Sequence, residues 1–181
     1  MEENIGGRII ITEAQIKERI ADLAAEISRD YEGLNPIIIT VLRGAVYFMV
    51  DLTRQLTIPH SIDFLAISGY GPNPRSVGVR ITKDLDQNIH GQHVLIVEDI
   101  VDTGLTLHYL TRTLRERGPA SLKVCAFFDR AAQRIANLPL EYKGFEITDE
   151  WIVGYGLDYK EKWRNLNCVM SIAEIAKHKQ R

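Results

Sequence analysis

Two hydrophobic periods alternate along the chain. Thr12 and Gln15 stand at capping-box spacing, and Ile16, Ile20, Leu23 and Ile27 then recur at helical intervals, which predicts an amphipathic helix over residues 13–30. After the Asn35-Pro36 turn, Ile37 to Leu42 is a β-branched run of the kind a strand shows when both its faces are covered. A helix from Ala45 to Leu56 and a strand from Ile62 to Ile67 follow. Residues 68–78 hold three glycines and two prolines, so they are expected to form a loop, with Val79 to Thr82 a short strand returning from it. A strand from His93 to Val97, a helix from Thr106 to Arg117, and strands from Leu122 to Phe128 and from Trp151 to Val153 complete the order. Such alternation implies an α/β fold with a mostly parallel sheet and helices on both faces. Ligands of these sheets bind at the carboxyl ends of the strands, so the chemistry is sought there.

Composition narrows the classes without choosing one. A chain of 181 residues, 45% hydrophobic and 25% charged, suits a single domain spanning residues 1–181. The net charge of -2 provides no global positive field for nucleic acid or an anionic membrane, so neither is an expected partner. An anionic substrate would need a local cluster of donors. Cys125 lies in an apolar run and reads as a core residue, and with Cys168 it forms neither a disulfide framework nor a CxxC site, which fits a reducing cytosol. The acidic start lacks the marks of a signal peptide, and no apolar stretch approaches the ~18 residues of a membrane span. His90 and His93 read as solvated side chains rather than metal ligands, having no third histidine or cysteine beside them.

The most informative segment runs from Val94 to Thr106. An apolar strand leads into two adjacent carboxylates, Glu98 and Asp99, expected to be exposed at its end. Asp102, Thr103, Gly104, Leu105 and Thr106 then form a turn that opens a helix. Backbone amides at such a helix start favour an anion such as phosphate, Thr103 and Thr106 add hydroxyls, and Gly104 permits close backbone approach. Taken alone, the turn is equally a helix cap supplied by Asp102 or Thr103. Adjacent exposed carboxylates shift the balance, because such a pair is costly without a cationic or hydroxylated partner.

This segment resembles the phosphoribosyl-pyrophosphate signature of the type I phosphoribosyltransferases, and four further stretches resemble the hypoxanthine-guanine branch of that family. Leu42-Arg43-Gly44 is similar to its pyrophosphate loop and Gly69-Tyr70-Gly71 to its lid. Lys143 to Ile147, and Val153 to Tyr159 followed by Arg164-Asn165-Leu166, are similar to its C-terminal region. The resemblance spans residues 36 to 168. It implies a type I phosphoribosyltransferase fold with a small hood formed by the terminal segments. It also implies transfer of a 5-phosphoribosyl group from phosphoribosyl pyrophosphate to a 6-oxopurine, with Mg2+ as cofactor, in a cytoplasmic homodimer or homotetramer.

Carried over by position, the resemblance puts Asp102 at the catalytic centre facing N7 of the purine. Glu98 and Asp99 would hold the ribose hydroxyls, and Thr103, Gly104, Leu105 and Thr106 the 5-phosphate. Arg43, Gly44 and Arg164 would meet pyrophosphate, and Gly69 and Tyr70 would belong to the lid. Arg130, Trp151 and Ile152 would contact the base, and Asp158 would be the magnesium ligand. The chain also departs from its relatives. Arg43 stands where lysine is common, Gly69 where serine is usual, Leu105 where a polar residue is common, and Arg130 where a lysine donates to the 6-oxo group. Arginine can donate there too, which favours a 6-oxopurine over adenine and leaves hypoxanthine, guanine and xanthine open. Without the motifs, Arg130 would read as a surface bridge to Asp129 or Glu141 and Trp151 as a core aromatic.

Other classes fit less well. A non-catalytic nucleotide-binding regulator of this fold would show a basic face, and neither GxxxxGK[ST] nor GxGxxG occurs to support a kinase or dehydrogenase. An adenine or pyrimidine phosphoribosyltransferase would share the phosphate turn but not the Trp151 to Asp158 segment.

Overall fold

The computed structural model describes residues 7–70, 78–148 and 151–172. Its elements are β1 (Arg8–Ile11), α1 (Glu13–Asp30), β2 (Ile37–Leu42), α2 (Val46–Gln55), β3 (Ser61–Tyr70) and β4 (Gly78–Lys83). Then follow β5 (His93–Val101), α3 (Leu105–Arg115), β6 (Ser121–Asp129), β7 (Tyr142–Glu146), β8 (Ile152–Val153) and β9 (Val169–Ser171). The capping box forms as its spacing predicts: Thr12 Oγ1 accepts from the Gln15 backbone, and the Gln15 side chain accepts from the Thr12 N–H at 2.9 Å.

Six strands make the main sheet in the order β4-β3-β2-β5-β6-β7, all parallel except the edge strand β4. The continuous apolar runs are explained by cover on both faces. Ile38, Leu95, Val97, Cys125 and Phe127 point into one core with α1 and α2. Ile37, Ile39, Val41, Val94, Ile96, Val124 and Ala126 point into the other with α3. Cys125 is fully buried, as its sequence context implies.

The chain leaves β2 toward β3 on one side and leaves β5 toward β6 on the other, so the order reverses between β2 and β5. Their pairing ends at Thr40 opposite Val97, where the Thr40 hydroxyl donates to the Val97 carbonyl at 2.7 Å. Beyond that point β5 stays paired with β6 as far as Val101 opposite Asp129, and β2 stays with β3. The two halves therefore fork, and a crevice opens at the carboxyl ends of β2 and β5.

Several boundaries differ from expectation. β5 runs four residues past Val97, so Glu98 and Asp99 lie within a strand, because β6 continues to supply pairing partners there. The predicted loop 68–78 is shorter, since Ser68, Gly69 and Tyr70 pair with Arg80, Val79 and Gly78 in the β3–β4 ladder. Residues 71–77 and the Tyr70 side chain, on which the lid assignment falls, lie outside what the structure describes, and of Gly69 only the backbone pairing is described. β1, β7 and β9 were not anticipated. β1 and β9 are short and pair with each other and with β8 in a small antiparallel sheet that joins both ends of the chain, the hood expected from the resemblance.

Candidate active site

The crevice places most of the expected residues in two adjoining cavities. One, of about 240 Å³, is lined by Glu98, Asp102, Thr103, Gly104 and Thr106 with Val41 and Ile67. The other, of about 300 Å³, is lined by Asp99, Asp102, Arg130, Trp151, Ile152, Asp158 and Arg164. Asp102 belongs to both.

The turn that opens α3 is capped by Gly104 in a left-handed conformation, φ +76°, where a side chain would be strained. No side chain of Asp102 caps the helix; the Thr103 hydroxyl accepts weakly from Leu105 N–H at 3.4 Å. The capping alternative thus fails for Asp102, which instead receives Arg130 Nη1 on Oδ1 at 3.0 Å. The Thr103 carbonyl accepts from Ile135 and Ala136, so the segment after β6 braces this turn from behind. Leu105 is exposed and lines neither cavity, so its side chain adds nothing to the cradle.

Glu98 and Asp99 correct an expectation. They are not exposed: Glu98 is 9% accessible, and Asp99 is half-buried with Oδ1 accepting from Ile100 N–H at 2.7 Å. Burial, and then the neighbouring Asp99, push the Glu98 carboxyl well above its ordinary value of 4.5. Burial also raises Asp99, opposed by its own hydrogen bond and by Arg164. Burial is thus the dominant influence on both carboxyls, and it acts against their charged forms.

Close backbone packing fixes this region. A methyl group on Gly44 would overlap Asp99 Oδ2 and approach the Gly156 carbonyl to 3.0 Å, and one on Gly156 would overlap the Gly44 carbonyl. The Leu42–Arg43 peptide is cis, and the loop it opens lies directly on the turn between β8 and Asp158. That turn is tied to α2 by the Tyr155 hydroxyl, which donates to Asp51 at 2.8 Å, while the Tyr155 ring packs on Phe127.

Arg130 is 13% exposed and does not make the surface bridge considered above. Asp129 is held by Arg134 and Lys143, and Glu141 accepts from Val124 N–H at 2.8 Å. Trp151 is 37% exposed rather than a core aromatic, with its ring edge-to-face on Tyr159 at 6.1 Å. Arg164 meets Asp158 at 2.7 Å and donates to the Gly156 carbonyl at 2.8 Å. Arg43 lies outside both cavities and pairs with Glu161.

Asp51, Tyr155 and Glu161 were missed from the sequence. Glu161 was detectable, standing three residues from both Asp158 and Arg164; the Asp51–Tyr155 bond joins positions 104 apart and leaves no local mark.

A strand-to-helix turn, an acidic strand end and, Arg164 apart, the lining of a second cavity beside them lie within the stretch, residues 10–160, that matches the family model of the phosphoribosyl transferase domain. The hypoxanthine-guanine phosphoribosyltransferase of Mycobacterium tuberculosis is 46% identical over 168 residues, covering 89% of this chain and 83% of that protein. The hypoxanthine phosphoribosyltransferase of Haemophilus influenzae is 44% identical, covering 89% and 92%. The crystal structure of a hypoxanthine-guanine phosphoribosyltransferase from Bacillus anthracis superposes with a TM-score of 0.85 at 43% identity, covering 91% of this chain and 96% of that one. The chain belongs to the hypoxanthine-guanine phosphoribosyltransferase family.

The raised Glu98 carboxyl yields a stability prediction. Between its unfolded value near 4.5 and its higher folded value, the folded state binds more protons than the unfolded one, so stability falls as pH rises through that window. Glu98→Gln removes the decline. The variant's thermal midpoint should match wild type below pH 4.5 and exceed it as pH rises above that value; parallel midpoint curves would show that Glu98 carries no such penalty.

Proposed function

We propose that this chain transfers the 5-phosphoribosyl group of phosphoribosyl pyrophosphate to a 6-oxopurine, releasing pyrophosphate and forming IMP from hypoxanthine and GMP from guanine. The observation that carries this reading is the position of Asp102, shared by the phosphate-turn cavity and the cavity of Arg130 and Trp151. A sugar phosphate in the first and a base in the second would meet at that carboxylate.

The residues divide the work as follows. The turn from Thr103 to Thr106 holds the 5-phosphate through its amides and hydroxyls. Glu98 and Asp99 meet the ribose hydroxyls. Both carboxyls also face the positive charge that builds on the sugar as its bond to pyrophosphate breaks. The base stacks on Trp151 and bonds to the Ile152 backbone. As the purine nitrogen bonds to C1, Asp102 accepts the proton leaving N7. Arg43, the Gly44 amide and Arg164 receive the departing pyrophosphate, and Gly69 and Tyr70 belong to the cover over the site.

Asp158 is the carboxylate that would hold magnesium, its Oδ1 being released by Arg164 as that arginine turns to pyrophosphate. Its lone carboxylate lines the cavity beside Arg164, and magnesium takes one or two carboxylate oxygens and draws the rest from phosphate oxygens and water. Bound there, Mg2+ supplies charge neutralisation for the leaving group. Two free cysteines suit a reducing cytosol, and no described helix is long and apolar enough to cross a membrane. By family resemblance the chain forms a homodimer or homotetramer and folds as one domain over residues 1–181.

Two substitutions test this reading. Asp102→Asn should lower turnover about 10²–10⁴-fold while leaving phosphoribosyl pyrophosphate binding nearly unchanged; a variant within threefold of wild type removes Asp102 from the proton transfer. Arg130→Ala also unpairs Asp102, so its rate alone is ambiguous, but the hypoxanthine-to-adenine rate ratio cancels that shared effect. A guanidinium has five donors and can serve Asp102 and the 6-oxo oxygen together, whereas adenine presents a donor to it. The ratio should collapse in Arg130→Ala and largely persist in Arg130→Lys, with a loss of several kcal/mol in discrimination, on the order of 3 kcal/mol. An unchanged ratio in Arg130→Ala would falsify the assignment.

A further inference from the structure

The two arginines assigned to pyrophosphate share a carboxylate oxygen. Arg43 Nη1 donates to Glu161 Oε2 at 2.9 Å, and Arg164 Nη2 lies 3.3 Å from the same atom. Arg164 Nη2 also meets Asp158 Oδ1 at 2.7 Å. The Glu161 backbone N–H donates to Asp158 Oδ2 at 2.8 Å, so the turn carrying Glu161 is anchored on that aspartate. Two guanidinium charges thus face two carboxylate charges within this cluster.

A carboxylate oxygen held by two guanidinium groups makes the same demand on them as a phosphoryl oxygen does. We propose that Glu161 is a positioning residue that holds Arg43 and Arg164 converged on one point, occupies that point as a stand-in for a pyrophosphate oxygen, and competes with pyrophosphate for it. The inference rests on the reading of both arginines as pyrophosphate ligands. The Glu161 side chain is 66% exposed, so each of its pairs is weak and exchanges readily. Pyrophosphate carries more charge than one carboxylate and displaces it. The released carboxylate turns to water but stays close enough to repel the anion within a Debye length of about 8–10 Å. Glu161 therefore keeps the arginines ordered between turnovers and limits how tightly the product is retained.

Calorimetric titration of pyrophosphate into wild type and Glu161→Gln, with and without magnesium, tests this. Glutamine keeps the size and the carbonyl acceptor but removes the charge. Pyrophosphate should bind the variant roughly three- to tenfold more tightly at low salt, with the gain shrinking as salt is added. The KM for phosphoribosyl pyrophosphate should fall in the same direction, while the thermal midpoint of the ligand-free protein moves by no more than about two degrees. Equal or weaker pyrophosphate binding by Glu161→Gln overturns the proposal, and a weakening seen only with magnesium would instead make Glu161 a ligand of the ion. Failure of wild type itself to bind pyrophosphate overturns the underlying assignment of Arg43 and Arg164, which separates that failure from the first.

Discussion

Gly44 and Gly156 approach so closely that neither could carry a side chain, and the Asp99 carboxylate fills the remaining space beside them. This contact joins three distant parts of the chain: the loop after β2, the acidic end of β5 and the turn that follows β8. It sets where Arg43 emerges and where Asp158 and Arg164 begin, and it buries Asp99 against backbone rather than water. The Tyr155–Asp51 hydrogen bond and the packing of Tyr155 on Phe127 hold the same turn from the core side. Loosening that approach would separate the expected pyrophosphate residues from the sugar site without altering any of them.

The second constraint is electrostatic. The fork between β2 and β5 buries Glu98 and leaves Asp99 half-buried, and burial raises both carboxyls. Elsewhere the crevice neutralises itself, with Arg130 on Asp102, Arg164 on Asp158 and Arg43 on Glu161. With its arginines already paired, and in a chain of charge -2, such a site takes up an anion by exchanging partners rather than by long-range steering. Substrate binding then rearranges pairs that already exist, which is consistent with the low cost of breaking exposed ion pairs.

Much of this was legible in the sequence, for identifiable reasons. The capping box at Thr12 and the alternating apolar strands follow local rules, so α1 and the parallel sheet could be read directly. Asp102 and the turn after it were found because a strand, a turn and a helix start carry a local pattern. The burial of Glu98 was not readable, because it depends on β6 pairing with β5 beyond the point where β2 leaves. The hood was expected from the resemblance, but its strands β1 and β9 were not placed, because they satisfy each other's backbone groups across nearly the whole chain. Arg130 was recognised by position, but its partner Asp102 became visible only when β5 and β6 were set side by side. Glu161 carried a local signal, its spacing from Asp158 and Arg164, and an ion-pair search at three-residue intervals would have found it.

The central claim, that Asp102 and Arg130 together serve a 6-oxopurine, is tested most directly by one set of rates. Nucleoside monophosphate formation from phosphoribosyl pyrophosphate and magnesium should be followed side by side with hypoxanthine, guanine, xanthine and adenine. Hypoxanthine should be turned over, and adenine more slowly by roughly two orders of magnitude or more, because a donor facing a donor leaves buried groups unpaired. Adenine turned over as fast as hypoxanthine, or no product from any of the four bases, would contradict it.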